Sequence, residues 1–454
     1  MKKWDAIALP FSNQADAEDC TGRADKTTYC FTWIFMRIIA DLHIHSGYSR
    51  ATSKQMTLDT LALWARLKGI GLIGTGDFTH PAHFASIEEQ LEPTGNGLFV
   101  LKKKNDGQAT HFMLSAEVSN IYSQGGKTRK IHSLIFSPSL EAARKINAAF
   151  SSLGNISSDG RPIFGFPAMD LVKIVMDASP EAMLVPAHAW TPWFSIFGSR
   201  SGFDSIEECF GDYSEHIHAI ETGLSSNPEM NWRVSALDSI TLISNSDAHS
   251  PSKLGREANV FDCAMDYFEI RDILIKKDNK RFLYTIEFYP EEGKYHSDGH
   301  RACGVRLTPR QTRALSGNCP ECGKPLTVGV LSRVEELSDR QAGFTPESAI
   351  PARHLIPLEE ILAESLGVGV GSVKVEREYK RLCSKASEFS YLLDMDESEL
   401  HEAAGARTAS AIMKVRAGDI FITPGFDGEF GRVSIFREEG AALRPAPAET
   451  RLLQ

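Results

Sequence analysis

From Arg37 to Ser246 the chain keeps returning to short apolar runs that carry a histidine or an acid within them or just after them. They are Arg37–Leu42, Gly71–Gly76, His111–Val118, Ile131–Phe136, Ala182–His188, Ile217–Glu221 and Thr241–Ser246. Runs of this length bounded by polar residues read as buried strands. Segments of helical period lie between several of them; Leu58–Leu67, for example, places Leu58, Leu61, Ala62 and Ala65 on one face. Strands alternating with helices predict an α/β fold, barrel-like or layered, with its site at the strand ends.

A chain of 454 residues exceeds what one core usually organises. After Tyr289 the segment Pro290–Gly304 is polar and glycine-containing, so a boundary is expected near 290. We expect a metal-dependent phosphoesterase domain over 36–290, a zinc-binding module over 291–340 and a mainly helical, DNA-contacting domain over 341–454. Candidate helices there are Leu358–Leu366 and Val375–Leu393. Residues 1–35, before Met36, read as an extension or a misassigned start. No apolar run approaches the roughly 20 residues of a membrane helix, and the N-terminus lacks a secretory pattern, so the expectation is a cytoplasmic protein without a membrane partner. A net charge of −10 argues against nonspecific coating of nucleic acid.

His43 and His45 stand two apart at a strand end, where both side chains face one way and can share an ion. Alone, such a pair is as often a packing feature. Here Asp77 and His80 follow the second run, Glu117 ends the third, His132 lies in the fourth, His188 ends the fifth, and Asp247 and His249 follow the last. Imidazoles with carboxylates suit zinc, manganese or iron, and a carboxylate can bridge two ions. Two ions a few ångströms apart can activate and cleave a phosphodiester.

His43-Ile44-His45, Asp77, Glu117, His132, His188 and Asp247-Ala248-His249 resemble the motifs of polymerase-and-histidinol-phosphatase domains. The resemblance implies a distorted (β/α)7-type barrel and two or three divalent ions (Zn, Mn or Mg). His43, His45, Glu117 and Asp247 would hold the first ion and serve catalysis; Glu117, His132 and His188 would hold the second. Asp77 and His249 would help hold a third. The family's usual Asp-His pair is Asp77-Phe78 here, so His80 could join that third site.

The chain also resembles the endonuclease Q family, in Asp41–Ser46, Ser49–Ser53, Gly74–Pro81, Leu254–Asn259, Tyr295–Cys303 and Pro424–Gly431. That resemblance implies a DNA-repair nuclease cutting 5′ of uracil, hypoxanthine, xanthine or an abasic site, with replication or repair factors as further partners. The competing expectations are a small-molecule phosphatase of the histidinol-phosphate type and a DNA-binding protein whose metal site is no longer catalytic.

Cys319-Pro320-Glu321-Cys322 forms a knuckle, and His300 with Cys303 supplies a second pair at the same spacing, giving one structural zinc site. His296 is the alternative fourth ligand. Between Gly299 and Asn318 stand Arg301, Arg306, Arg310 and Arg313 without an acid, a stretch suited to phosphate. Arg50 and Arg256 flank metal motifs, where each could clamp a phosphate or pair with a nearby carboxylate. Trp193, after His188, could stack on a base or pack locally.

Overall fold

The structure is a computed structural model describing residues 36–103 and 109–437; the expected extension over 1–35 and the end of the expected helical domain, 438–454, lie outside the described residues. Seven strands surround one interior: β1 (Met36–Asp41), β2 (Leu72–Gly74), β3 (His111–Gln124), β4 (Lys127–Ser137), β5 (Met183–Pro186), β6 (Ala219–Glu221) and β7 (Thr241–Ile243). β1, β2 and β3 run parallel, as do β6 and β7. Chain just beyond the strands completes the ring: the Ala189 N–H donates to the Glu221 carbonyl, and a parallel bridge joins Ile44 to Ala248.

The barrel departs from simple strand-helix alternation most plainly at β3 and β4. β3 and β4 form a long antiparallel hairpin, Leu114↔Ser137 to Gln124↔Lys127, turned at Gly125 and Gly126 with φ of 61° and 74°. Two consecutive positive φ values are what a tight hairpin turn requires, and glycine meets them without a Cβ clash. Three more strands extend the sheet beyond β1: β8 (Ala258–Cys263), β9 (Phe282–Glu287) and β10 (Ala352–His354).

Each barrel strand sends one or two apolar side chains into a common cluster: Ile38 and Ala40, Leu72, Met113, Leu134, Val185, Ala219 and Ile243, all 2 % exposed or less. Burying each larger one contributes about 1.5–3 kcal/mol. Strand side chains repeat with period two. On the same faces, further toward the site end, the positions are Glu117 on β3, His132 on β4 and Glu221 on β6. The interior is therefore apolar at one end and ligand-bearing at the other.

Past β9 the chain forms the hairpin Asp298–His300 with Val305–Leu307, a short helix Pro309–Ala314 and the helix Val330–Leu337. It then re-enters the main sheet as β10, parallel to β9. The boundary expected at 341 thus falls ahead of a strand that belongs to the barrel sheet. The helices Leu358–Leu366, Val373–Cys383, Glu397–Ala404 and Ala406–Ala417 follow. A single helix over Val375–Leu393 is corrected: it stops at Cys383, and the next turn aims Glu388 inward at Lys68, with Nζ and Oε2 2.8 Å apart. Among the described residues, no helix is long and apolar enough to cross a membrane.

Candidate metal centre

The barrel strands and the loops leaving them converge on two trios, His43–His45–Asp247 and Glu117–His132–His188, each with its ligand atoms within 4.8 Å of one another. Glu117 joins them. Its Oε2 lies 3.3 Å from His45 Nε2 and 3.8 Å from His43 Nε2, while its Oε1 lies 2.7 Å from His132 Nδ1 and 3.1 Å from His188 Nε2. Asp247 Oδ1 lies 3.1 Å from His45 Nε2 and 3.6 Å from His43 Nε2.

His43 Nε2, His45 Nε2 and Asp247 Oδ1 are buried and make no hydrogen bond. Buried polar atoms are normally satisfied, so three orphans facing one another form a set that a divalent cation completes. The donor chemistry, imidazole nitrogen with carboxylate oxygen, fits such an ion.

The far sides of both imidazoles are held. His43 Nδ1 lies 3.0 Å from Glu221 Oε2, and His45 Nδ1 lies 3.1 Å from Asp77 Oδ1. A carboxylate on Nδ1 keeps the proton there and turns the Nε2 lone pair toward the centre. Burial disfavours charge on these rings, but Glu221 and Asp247 beside His43, and Asp77 and Asp247 beside His45, outweigh it and raise both well above the ordinary histidine range. At His132 burial prevails over Glu117 and the ring is pushed down to about 4.

Glu221 carried no functional role in the sequence, yet it is a hub. It also accepts from the His188 backbone N–H at 2.8 Å and the Asn245 side chain at 2.9 Å. The available signal was an acid closing a barrel strand. Arg161 was missed as well: its Nη1 donates to Glu117 Oε2 at 2.8 Å.

The local backbone is unusual where it matters. Asp77, His188 and Asp247 have φ of 46°, 33° and 47°. Left-handed conformations in non-glycine residues cost about 1–3 kcal/mol and persist where surroundings over-determine them. At His188 that surrounding includes Gly223, where a Cβ would come 2.5 Å from the His188 Cβ.

Asp77 does not belong to either trio. The two nitrogens of an imidazole point apart, so a carboxylate on His45 Nδ1 stands on the far side of that ring. Its Oδ2 accepts from the Ser46 N–H, the Ser46 hydroxyl and the Ser49 hydroxyl at 2.7, 2.6 and 2.8 Å. His80 lies against the Tyr48 ring with Nε2 3.2 Å from the Ser157 carbonyl, and His249 places Nδ1 2.9 Å from the Asp247 carbonyl. Among the described residues Asp77, His80 and His249 are not drawn into one ligand group; Asp77 holds the far nitrogen of His45.

Away from the barrel, His300, Cys303, Cys319 and Cys322 gather their ligand atoms within 4.8 Å. His300 stands with the cysteines, and His296 does not. The knuckle closes through the Gly323 N–H donating to the Cys319 carbonyl at 2.8 Å. Burial would raise the Cys319 thiol, but backbone N–H groups of Cys322 and Glu321 hold it down to about 7, toward the thiolate a metal takes.

The arginines expected to meet phosphate divide. Arg306 donates to the Pro424 carbonyl at 2.9 Å and Arg313 pairs with Glu335 at 2.9 Å, so both fasten the protein to itself. Arg256 donates to the Ser246 carbonyl at 2.9 Å, steadying the loop that carries Asp247. Arg50 pairs with Asp159 at 3.1 Å while its side chain stays 77 % exposed. Trp193 is exposed at the rim, its ring 6.3 Å from that of Tyr295.

Comparison with known proteins agrees with this arrangement. Residues 357–419 match the family described as the MJ0043 C-terminal domain. The uncharacterized protein YqxK of Bacillus subtilis is 30 % identical over 414 residues, 87 % of this chain and 99 % of that protein. The uncharacterized protein MJ0043 of Methanocaldococcus jannaschii is 34 % identical over 255 residues, 54 % of this chain and 31 % of that protein. Among solved structures, the lesion-specific endonuclease PfuEndoQ of Pyrococcus furiosus superposes with a TM-score of 0.77 at 31 % identity, covering 88 % of this chain and 95 % of that one. Endonuclease Q bound to a 27-mer duplex with an abasic lesion at the active site gives 0.75 at 31 % identity, covering 90 % and 100 %. With identity of this order sustained over nearly the whole of both solved chains, this chain belongs to the endonuclease Q family.

Proposed function

We propose that this protein is a metal-dependent DNA-repair endonuclease that hydrolyses the phosphodiester 5′ to a deaminated base (uracil, hypoxanthine or xanthine) or an abasic site, leaving a 3′-hydroxyl and a 5′-phosphate. The observation that carries the reading is Glu117, whose two oxygens each face one buried ligand trio. Divalent ions bound there supply Lewis-acid polarisation of a phosphodiester and a more acidic water. His43 and His45 are held by Glu221 and Asp77 with their lone pairs inward, and Asp247 lends an otherwise orphaned oxygen. The relatives support the substrate, since endonuclease Q has been solved on an abasic duplex.

A surface beside the centre supports DNA over a small phosphate ester. The Thr191 hydroxyl ties the loop of His188 to the Trp193 carbonyl at 2.9 Å, and Trp193 leads to Tyr295. Lys294 places its ammonium 5.6 Å from the Tyr295 ring and 5.7 Å from Phe430, whose side chain is 76 % exposed. Arg200 lies 6.0 Å from the Trp193 ring. Exposed aromatics interleaved with cations are the elements that bind splayed or single-stranded nucleic acid. Replacing Trp193 or Phe430 with alanine removes about 1–3 kcal/mol per stacked base, so duplex affinity by fluorescence anisotropy falls roughly tenfold or more while bound metal is unchanged.

The direct test incubates the protein with duplexes carrying uracil, hypoxanthine, an abasic site or no lesion, with and without chelator. Nicking 5′ to the lesion, lost with chelator, is expected. Hydrolysis of a phosphate monoester with no nicking of any duplex would overturn the reading.

A further inference from the structure

Arg161 is the feature of the centre that ligand chemistry leaves unexplained. Its guanidinium donates to Glu117 Oε2 at 2.8 Å, on the same oxygen that faces His43 and His45. A guanidinium cannot ligate a cation, and its positive charge opposes a cation's arrival at Glu117. A centre meant only to hold ions would exclude it.

The loop that delivers Arg161 is built rather than loose. The Asp159 carboxylate accepts from the Arg161 N–H at 3.1 Å and pairs with Arg50 at 3.1 Å. The Gly160 N–H donates to the Tyr48 carbonyl at 3.2 Å, and the Gly160 carbonyl accepts from Thr79 at 3.2 Å. A Cβ on Gly160 would collide with Ser49 and Asp77, so this backbone presses on the groups that orient His45. Just beyond, Ile163 and Phe164 pair with Ser119 and Asn120 of β3. The backbone is pinned on both sides, while the Arg161 side chain remains 30 % exposed at the mouth of the centre.

We propose that Arg161 binds the substrate's phosphate, and that its ion pair with Glu117 is the rest position from which the guanidinium swings to that phosphate. When Glu117 gives its oxygens to cations, the guanidinium loses its partner. It then needs an anion at about the same place, and the planar fork of arginine matches two phosphoryl oxygens. Asp159 joins the backbone of this inner arginine to the side chain of the outer, exposed Arg50. The inference rests on the nuclease reading for its natural substrate but makes a separate claim about phosphate.

The test compares wild type, Arg161→Gln and Arg161→Lys, each as the full chain. Three quantities are measured: Mn²⁺ affinity without DNA, affinity of the Mn²⁺-loaded protein for inorganic phosphate, and nicking of an abasic duplex. For Arg161→Gln the expectation is Mn²⁺ affinity equal to or tighter than wild type, phosphate affinity at least tenfold weaker, and nicking about a hundredfold slower, with Arg161→Lys recovering part of the last two. Unchanged phosphate affinity overturns the proposal. So does loss of Mn²⁺ affinity in Arg161→Gln, which would make the arginine a strut for Glu117. If wild type nicks no duplex yet the phosphate difference appears, the nuclease reading fails and the assignment of Arg161 stands.

Discussion

Glu117→Gln is expected to lose nicking activity by more than about a thousandfold, which corresponds to roughly 4 kcal/mol of transition-state stabilisation. The amide keeps the volume and one carbonyl oxygen but removes the charge. Both trios depend on that charge, because each carboxylate oxygen faces one of them. Glu221→Gln and Asp77→Asn, which change only what stands behind His43 and His45, are expected to weaken metal binding about 10–100-fold. The check is metal content by mass spectrometry, turnover, and duplex affinity measured together. Glu117→Gln should still bind DNA, since the aromatic strip around Trp193 lies outside the trios. Wild-type turnover in Glu117→Gln would sink the two-trio reading.

The second large effect concerns stability. Lys68 and Glu388 pair at 2.8 Å with side chains 3 % and 4 % exposed. Glu388 also accepts from the Tyr379 hydroxyl at 2.7 Å and the Leu358 N–H at 3.0 Å. This cluster fastens the C-terminal helices to the helix Leu58–Lys68 beside the barrel. Glu388→Ala leaves a buried ammonium without a partner, which costs about 3–5 kcal/mol. In a chain of this size the melting temperature should fall by roughly 3–6 degrees. The double variant Lys68→Met/Glu388→Leu should recover part of the loss, because it removes the unpaired ammonium while still leaving the Tyr379 hydroxyl and the Leu358 N–H without their acceptor. A melting temperature unchanged in Glu388→Ala would show that the cluster contributes nothing.

What the sequence shows and what it hides separate along a physical line. Ligand residues at strand ends are legible because period-two strands end together at one rim, so a histidine or acid there has few places to go. His43, His45, Glu117, His132, His188 and Asp247 all stand at that rim. The contact of Asp77 with His45 Nδ1 was not legible because sequence does not say which side of an imidazole a carboxylate will occupy. Arg161 and Glu221 escaped for the same reason: each acts through contact with a residue far away in the chain, 44 positions from Glu117 and 178 from His43. Lys68 and Glu388 are 320 positions apart, and neither carries a local pattern. The hairpin of β3 and β4 was not read from the general alternation of strands with helices, although Gly125-Gly126 marks the turn.

The strand Ala352–His354 has a consequence for how the molecule is made and cut. Its partner Phe282–Glu287 is complete well before it on the ribosome, yet waits for some sixty further residues, those of the cysteine module and its following helix, before its open edge is paired. During synthesis that edge is a template for any other extended chain. A fragment ending near 340 would retain every ligand of both trios and still expose a row of unmatched peptide groups. Such a fragment should aggregate in proportion to its concentration, and the natural site for separating the two halves lies after His354 rather than before Ala352.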